Sequence, residues 1–298
     1  MNYTGYELKV LDEIREWEEA KPGMVIQALD LIGKPISMMI ENVPGSTRII
    51  IGKAVTGFMH MLKDISYWTY TENSILKKAR KAGLDVTSIH DLGDCDIEKL
   101  DELAREYFTA NKIIAALEGA GCGLGGLALI AADIPALFGI SFRSIQQIGS
   151  CYGFNMQDPD MLPVIMGIIH AGSGFSVAVK SSVLADMHIA AAALAGKAAY
   201  GKLAERTKTA LMIEILKKSS RSLPGQIAKN ISSRKLGQAI PIIGAALGAG
   251  FNYWFMSNSI LAAYMLFRKL NIERRHFSVP DAPKPSLLLT IRKGIFRK

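Results

Sequence analysis

The sequence predicts an all-α fold, a multi-helix bundle whose helices pack closely at glycines. Apolar residues recur mainly at spacings of three or four, and no alternating apolar and polar run bounded by hairpin turns indicates a strand. Two blocks rich in small residues, 118–140 and 240–252, supply the glycines. Hydrophobic residues make up 49% of the 298, and the mean hydropathy is +0.20, so the composition lies between the soluble and membrane classes.

The elements follow in order along the chain. Helices are predicted over residues 6–20, 24–40, 47–68, 72–82 and 97–118. The second of these is disturbed at Pro35, and Asp96 is placed to cap the last one. Asp158 followed by Pro159 marks another helix start, because a carboxylate can cap the first turn and proline tolerates its first position.

The first glycine block admits two interpretations. Gly121, Gly123 and Gly126 form G-x-G-x-x-G, which binds a dinucleotide pyrophosphate when it links a strand to a helix. Here a helix precedes the motif and no suitably placed acidic residue follows, so helix packing through G-x-x-x-G pairs is favoured. The glycines assigned to packing are Gly119, Gly121, Gly123, Gly125, Gly244 and Gly248.

The same block carries a family resemblance. The residues concerned are Glu118-Gly-Ala-Gly, Gly125-Gly126, Asp133-Ile-Pro135, Arg143 and Tyr152-Gly153, followed later by 240–252. In these residues the chain resembles the EcsC family of bacterial proteins, from about residue 6 to about 270. No linker or low-complexity tract divides the chain, which favours one helical domain over 1–298 with a basic tail from about 271. The resemblance implies a transport context, because the family is named after a protein encoded beside an ABC transporter. The chain departs from the pattern at 160–163, where a basic residue is expected.

Charge is distributed unevenly along the chain. Residues 197–298 contain 19 Lys and Arg against 4 Asp and Glu, whereas residues 1–196 carry a net charge of −7. Basic residues beside an apolar element favour an anionic lipid surface, although a solvated helix face is the plainer alternative. The residues predicted to bind lipid or another anion are Lys217, Lys218, Arg221, Lys229, Arg234 and Lys235. Nucleic acid is disfavoured, because the aromatic residues of this part cluster in the apolar block and do not alternate with the basic ones.

Two apolar segments are long enough to be buried or membrane-inserting. Residues 119–140 would measure about 33 Å as one straight helix, but Asp133 and Pro135 oppose a lipid-exposed span. Residues 239–267 carry no formal charge, yet Asn252 and Ser257–Ser259 form a polar band, so an interfacial or re-entrant hairpin fits as well as a span.

Candidate chemistry is sparse. Glu118 and Asp133 could form a carboxylate pair only across a bend, as an acid/base couple or a cation site, with Arg143 as a further candidate catalytic residue. The alternative is structural: Asp133 caps a new helix, while Glu118 pairs with a cation such as Arg143. No cofactor motif and no metal-ligand spacing is present, and three single cysteines indicate reduced thiols.

The function expected from the sequence is that of a membrane-associated helical protein. It would face the cytoplasm, bind anionic lipid or a membrane partner, and serve as accessory to a transport system. It would be peripheral or partly inserted at the cytoplasmic face, since the acidic N-terminal segment lacks the features of an export signal. The alternative is an enzyme that acts on a lipid or other apolar substrate through Glu118, Asp133 and Arg143.

Overall fold

The computed structural model describes residues 3–19, 49, 70–124, 127–158, 161–173 and 243–276, without the side chains of 118–134, 163, 173, 243–249 and 251. Seven helices and no strand are found in these ranges. The helices are α1 (Gly5–Glu19), α2 (Glu72–Lys81), α3 (Ile89–Leu92), α4 (Ile97–Leu124), α5 (Leu127–Cys151), α6 (Leu162–Ser173) and α7 (Ile243–His276). The predicted all-α bundle is confirmed, and the helices predicted at 24–40 and 47–68 lie outside the described residues apart from Ile49.

Helix α7 is the central element of the bundle. It packs against α4, α5, α6 and α1. Its direction relative to α4 follows from two contacts, since Arg268 pairs with Asp101 and the ring of Tyr264 lies edge-on to that of Phe108 at 5.0 Å between centroids. The partner on α7 moves toward its N-terminus as α4 advances, so the two helices are antiparallel.

Helices α4 and α5 form an antiparallel pair, in which α4 ends at Leu124 and α5 begins at Leu127, so the chain reverses direction between the two helices. Asn111 Nδ2 donates a hydrogen bond to Gln147 Oε1 at 3.1 Å, and the Tyr152 hydroxyl reaches back to Asp101. The apolar segment 119–140 is therefore divided between two helices and is not one straight span. None of the described helices combines the length and apolar composition needed to cross a membrane.

Helix α5 continues through Pro135, which lies inside it. The structural alternative in which Asp133 caps a new helix is therefore wrong. Proline removes one backbone hydrogen-bond donor from the helix. The residues that follow it are tightly packed in the core. Leu137 and Phe138 are fully buried, and Phe138 meets Phe255 of α7 at 6.1 Å between ring centroids.

The apolar segment 239–267 is described from residue 243 onward. That part is one continuous helix, so the alternative of a hairpin is wrong for residues 243–267. The polar band faces inward in part, because Asn252 and Ser259 are fully buried. The helix runs on to His276, so the first residues of the predicted basic tail belong to the bundle. Among them, Asn271 is buried and donates a hydrogen bond to the Gly93 carbonyl at 3.1 Å.

Local sequence explains several helix starts. The Glu98 N–H donates to Asp96 Oδ1 at 3.0 Å, which confirms the predicted cap of α4. Helix α1 begins with a reciprocal capping box, in which the Thr4 N–H donates to Glu7 Oε2 and the Glu7 N–H donates to Thr4 Oγ1. Helix α6 begins only at Leu162, a few residues beyond the predicted start at Asp158.

A close approach of two helices at a glycine occurs at Gly172. This glycine lies inside α6. A Cβ built there would lie 2.7 Å from Ser259 Cα on α7. Only glycine lets the two backbones come this near, so close packing at glycine is present at a position that was not among the six predicted.

Candidate functional site

A buried ion pair joins α4 to α7 at one end of the bundle. Arg268 Nη2 lies 2.8 Å from Asp101 Oδ2, and neither side chain has exposed surface. The contact is a close ion pair rather than an aligned hydrogen bond. Arg268 also donates a hydrogen bond from Nη1 to Glu13 Oε2 of α1 at 2.8 Å. Burial alone would lower the pKa of Arg268, but Asp101 offsets this, and the pKa is raised.

Two tyrosine hydroxyls complete the surroundings of Asp101. The Tyr6 hydroxyl donates to Oδ2 at 2.9 Å, and the Tyr152 hydroxyl donates to Oδ1 at 2.5 Å. Burial, followed by the hydrogen bond to Asp101, raises the pKa of Tyr6 to about 12. Burial and the charge of Asp101 raise the pKa of Tyr152 well above its ordinary value. We call Tyr6, Glu13, Asp101, Tyr152 and Arg268 the charge cluster.

The charge cluster is arranged to hold helices together. Its members come from α1, α4, the end of α5, and α7, so one carboxylate and one guanidinium fix the mutual register of four helices. The pKa values of Tyr6, Tyr152 and Arg268 all move away from neutrality, which does not suit proton exchange near pH 7. The geometry is that of a structural clamp.

Sequence reasoning did not find the charge cluster, although one signal was present. Asp101 lies four residues after Ile97 and three before Ala104, both of which are buried. A carboxylate within the apolar stripe of a helix indicates a buried partner. The sequence alone does not identify Arg268 as that partner, because it lies far from Asp101 along the chain. Arg268 is likewise 255 positions from Glu13.

The predicted carboxylates occupy matching levels of the α4 and α5 pair. Residue 118 lies in α4 shortly before the reversal and residue 133 lies in α5 shortly after it. The reversal supplies the bend that a pair of Glu118 and Asp133 would require. Their side chains are not described, so the pair stays a prediction. Arg143 is exposed on α5, at about the level of residues 110–115 on α4.

The remaining predicted residues are described only in part. Gly119, Gly121 and Gly123 lie within α4, so the G-x-G-x-x-G motif begins inside a helix and lacks the strand required by the nucleotide interpretation. Gly244 and Gly248 lie in α7. Gly125 and the six basic residues between Lys217 and Lys235 lie outside the described residues. Cys95 and Cys151 form no disulfide, as predicted.

An apolar patch is exposed near the reversal between α4 and α5. It consists of Ile113, Ile114 and Leu117, whose side chains are 50%, 49% and 68% exposed. Spacings of three and four place Leu117 on the same side of α4 as the two isoleucines. Lys112 directly precedes the patch on α4 but points about 100° around the helix from Ile113, and desolvation lowers its pKa. Arg143 is exposed at about the same level on α5, so one exposed cation accompanies the patch.

Comparison with known proteins gives a family but no activity. The profile of the EcsC protein family matches residues 8–270. "Uncharacterized protein YdbA" of Bacillus subtilis (strain 168) is 22% identical over 267 residues, covering 89% of this chain and 92% of that protein. "Protein EcsC" of the same organism is 33% identical over 82 residues, covering 27% of this chain and 35% of that protein. No solved structure matches significantly. The profile covers well over half of the sequence, and the chain therefore belongs to the EcsC protein family.

Proposed function

We propose that the protein associates with the cytoplasmic face of a membrane, binds anionic lipid there, and acts as accessory to a membrane transport partner. The observation that carries this proposal is the uneven charge of the chain. Residues 197–298 have a net charge of +15, whereas residues 1–196 have a net charge of −7. A basic side chain near an anionic surface contributes about 1 kcal/mol, so even a few of these residues would retain the protein.

The described helices support the proposal through a similar division in space. Acidic side chains are frequent on α1 and along the first three turns of α4. Residues 107–117, 135–157 and 243–272, in contrast, contain no Asp or Glu. Glu118 and Asp133 flank the reversal between α4 and α5, but no other Asp or Glu lies in residues 107–124, 127–157 and 243–272, so this part of the bundle would meet little repulsion from an anionic surface.

Binding to vesicles of defined composition tests the proposal. The protein should sediment with vesicles containing phosphatidylglycerol and not with pure phosphatidylcholine. Replacing Lys217, Arg221, Lys229, Arg234 and Lys235 with Gln should weaken that binding and reduce its dependence on salt, because fewer screened charges would contribute. Equal binding of the parent protein to neutral and anionic vesicles would contradict the proposal.

An enzyme acting on a lipid is the second candidate function. It is favoured by the helix register that brings positions 118 and 133 to matching levels across the reversal. Carboxylates held close to one another can act as general acid and base. In a strain lacking the gene, Glu118→Gln and Asp133→Asn would then fail to restore function although the protein accumulates normally. Full restoration by both variants would argue against carboxylate chemistry.

A further inference from the structure

We infer that the apolar patch of Ile113, Ile114 and Leu117 is the part of the bundle that enters the headgroup region of an anionic membrane. The inference rests on the proposed function and specifies how the protein is oriented on the lipid. The side of α4 that carries the patch would lie on the membrane, and the charge cluster, farther toward the start of α4, would lie away from it.

The exposure of these three side chains is the first argument. The inward side of α4 is well packed, with Leu100, Leu103, Ala104 and Ala115 at most 1% exposed. Ile113, Ile114 and Leu117 lie within about one turn of one another on its outer side, so these large apolar side chains are not part of the core. Clustered exposed apolar residues indicate a contact surface, whereas isolated ones are ordinary.

Charge complementarity indicates that the surface contacted by the patch is anionic lipid. The exposed Arg143 lies at the level of the patch on the neighbouring helix, and Lys112 precedes the patch on α4, about 100° around the helix from Ile113. Long basic side chains can place their aliphatic stems on apolar surface while their charged ends meet lipid phosphates. Glu106, the carboxylate that precedes the patch on α4, pairs with Lys78 at 3.0 Å. Glu118 follows the patch, and its side chain is not described.

The length of the patch suits the membrane interface and not the bilayer core. Residues 113–117 cover little more than one helical turn, about 6 Å. Apolar faces of interfacial elements penetrate roughly 5 to 10 Å into the boundary between headgroups and acyl chains. The patch can therefore enter this layer without unfolding the bundle.

Substitutions that keep the net charge test the inference. The triple variant Ile113→Gln, Ile114→Gln and Leu117→Gln should bind phosphatidylglycerol vesicles about tenfold or more weakly, because burying one large apolar side chain alone can shift an equilibrium by that factor. Leu8→Gln is the matched control for the single variant Leu117→Gln. Leu8 is 51% exposed, but it lies on α1 at the opposite end. Leu8→Gln should bind as the parent protein does, and Leu117→Gln should bind more weakly.

The outcomes separate this inference from the proposed function. If the parent protein fails to bind anionic vesicles, the proposed function fails and the inference fails with it. If the parent binds and the triple variant binds equally well, membrane association stands and the patch is not the contact. A third outcome is that the triple variant keeps its vesicle binding but changes from oligomer to monomer in sedimentation. The patch would then contact a second copy, which also overturns the inference. Thermal melting confirms that each variant is folded.

Discussion

Arg268 and Asp101 carry opposite charges in a part of the bundle that water does not reach. Removing two such charges from water costs several kcal/mol for each ion, and their attraction offsets this only when the remaining polar atoms also have partners. The hydroxyls of Tyr6 and Tyr152 donate to Asp101 and Glu13 accepts from Arg268 Nη1, whereas Arg268 Nε makes no hydrogen bond within the described residues. The ring of Tyr264 lies 4.3 Å from the Arg268 guanidinium carbon and adds a cation-π contact.

Removing only one member of the pair of Arg268 and Asp101 should destabilise the fold strongly. We expect Arg268→Met to lower the free energy of unfolding by about 3 to 5 kcal/mol, because Asp101 would keep its charge without its cation. The double variant Arg268→Met with Asp101→Leu should recover part of this loss, since it removes both charges. Urea unfolding of the two variants and the parent measures the difference.

An exposed pair provides the control for that experiment. Lys78 and Glu106 lie 3.0 Å apart with side chains 40% and 52% exposed. Glu106→Gln should cost no more than about 1 kcal/mol, because solvent screens an exposed pair. A similar loss for Glu106→Gln and Arg268→Met would contradict the argument that burial makes the Arg268 pair costly to break.

At the scale of helices, two glycines end their elements in the same way but in different surroundings. Gly83 follows α2 and Gly153 follows α5, with φ of 81° and 83°. Both lie in the C-terminal motif in which the following N–H bonds back five residues, from Leu84 to Ala79 and from Phe154 to Gly149. A Cβ on Gly83 would meet nothing within 4 Å, whereas a Cβ on Gly153 would lie 2.4 Å from the Gly93 nitrogen.

These surroundings predict different costs for the same substitution. Gly83→Ala should destabilise by about 1 to 2 kcal/mol, the cost of a left-handed conformation for a residue with a side chain. Gly153→Ala should add a further 1 to 3 kcal/mol, because the new methyl group collides with backbone. Equal losses in chemical unfolding would show that the contact between Gly153 and Gly93 does not constrain the fold.

Acid should destabilise the packing of helix α1, because Glu7 becomes protonated. Burial would raise the pKa of this carboxyl, but the Thr4 N–H and His276, whose Nε2 lies 3.0 Å from Oε1, more than offset it and hold the pKa below 4.5. Because the pKa is lower in the folded state, the stabilisation is present above about 4.5 and is lost as the pH falls through the folded value.

Glu7→Gln tests this dependence. At pH 7 the variant should be less stable by about 1 kcal/mol, since a neutral amide replaces a charged acceptor. The difference from the parent should shrink as the pH is lowered toward 3. Urea unfolding across this range measures it, and a difference that stays constant would exclude a charge effect.

The sequence pattern predicted the positions of the helices better than the contacts between them. Apolar spacing and the Asp96 cap gave α4 its start, and the prediction for α1 differs from the observed helix by one residue at each end. The interior position of Pro135 was not predicted, because a proline shortly after a carboxylate is also typical of a helix start. The packing at Gly172 depends on Ser259 of a distant helix, and such approaches cannot be derived from local spacing.

At the scale of the whole molecule, the two ends of the α4 and α7 pair differ in chemistry. One end carries the charge cluster and the ion pairs of α1, including Lys269 with Glu18 at 2.9 Å. The other end carries the exposed apolar patch and the small-residue segments of both helices. Charge patterning along the sequence predicts a membrane surface, and the antiparallel register shows that Glu118 is the one carboxylate at the patch end of this pair, within residues 107–124 and 243–262.

Fractionation of cells tests how the whole protein associates with a membrane. At low ionic strength we expect it in the membrane fraction, and a wash with 1 M NaCl should release most of it, because the screening length falls to about 3 Å. Among the described residues, the other large apolar side chains that are about half exposed are Leu8, Ile49 and Tyr253, so the described part of the bundle offers few apolar anchors beyond the patch. Replacing Lys217, Arg221, Lys229, Arg234 and Lys235 with Gln should move the protein to the soluble fraction even without the wash. Retention through both the salt wash and alkaline carbonate would contradict peripheral binding, and would mean that part of the chain is inserted in the bilayer.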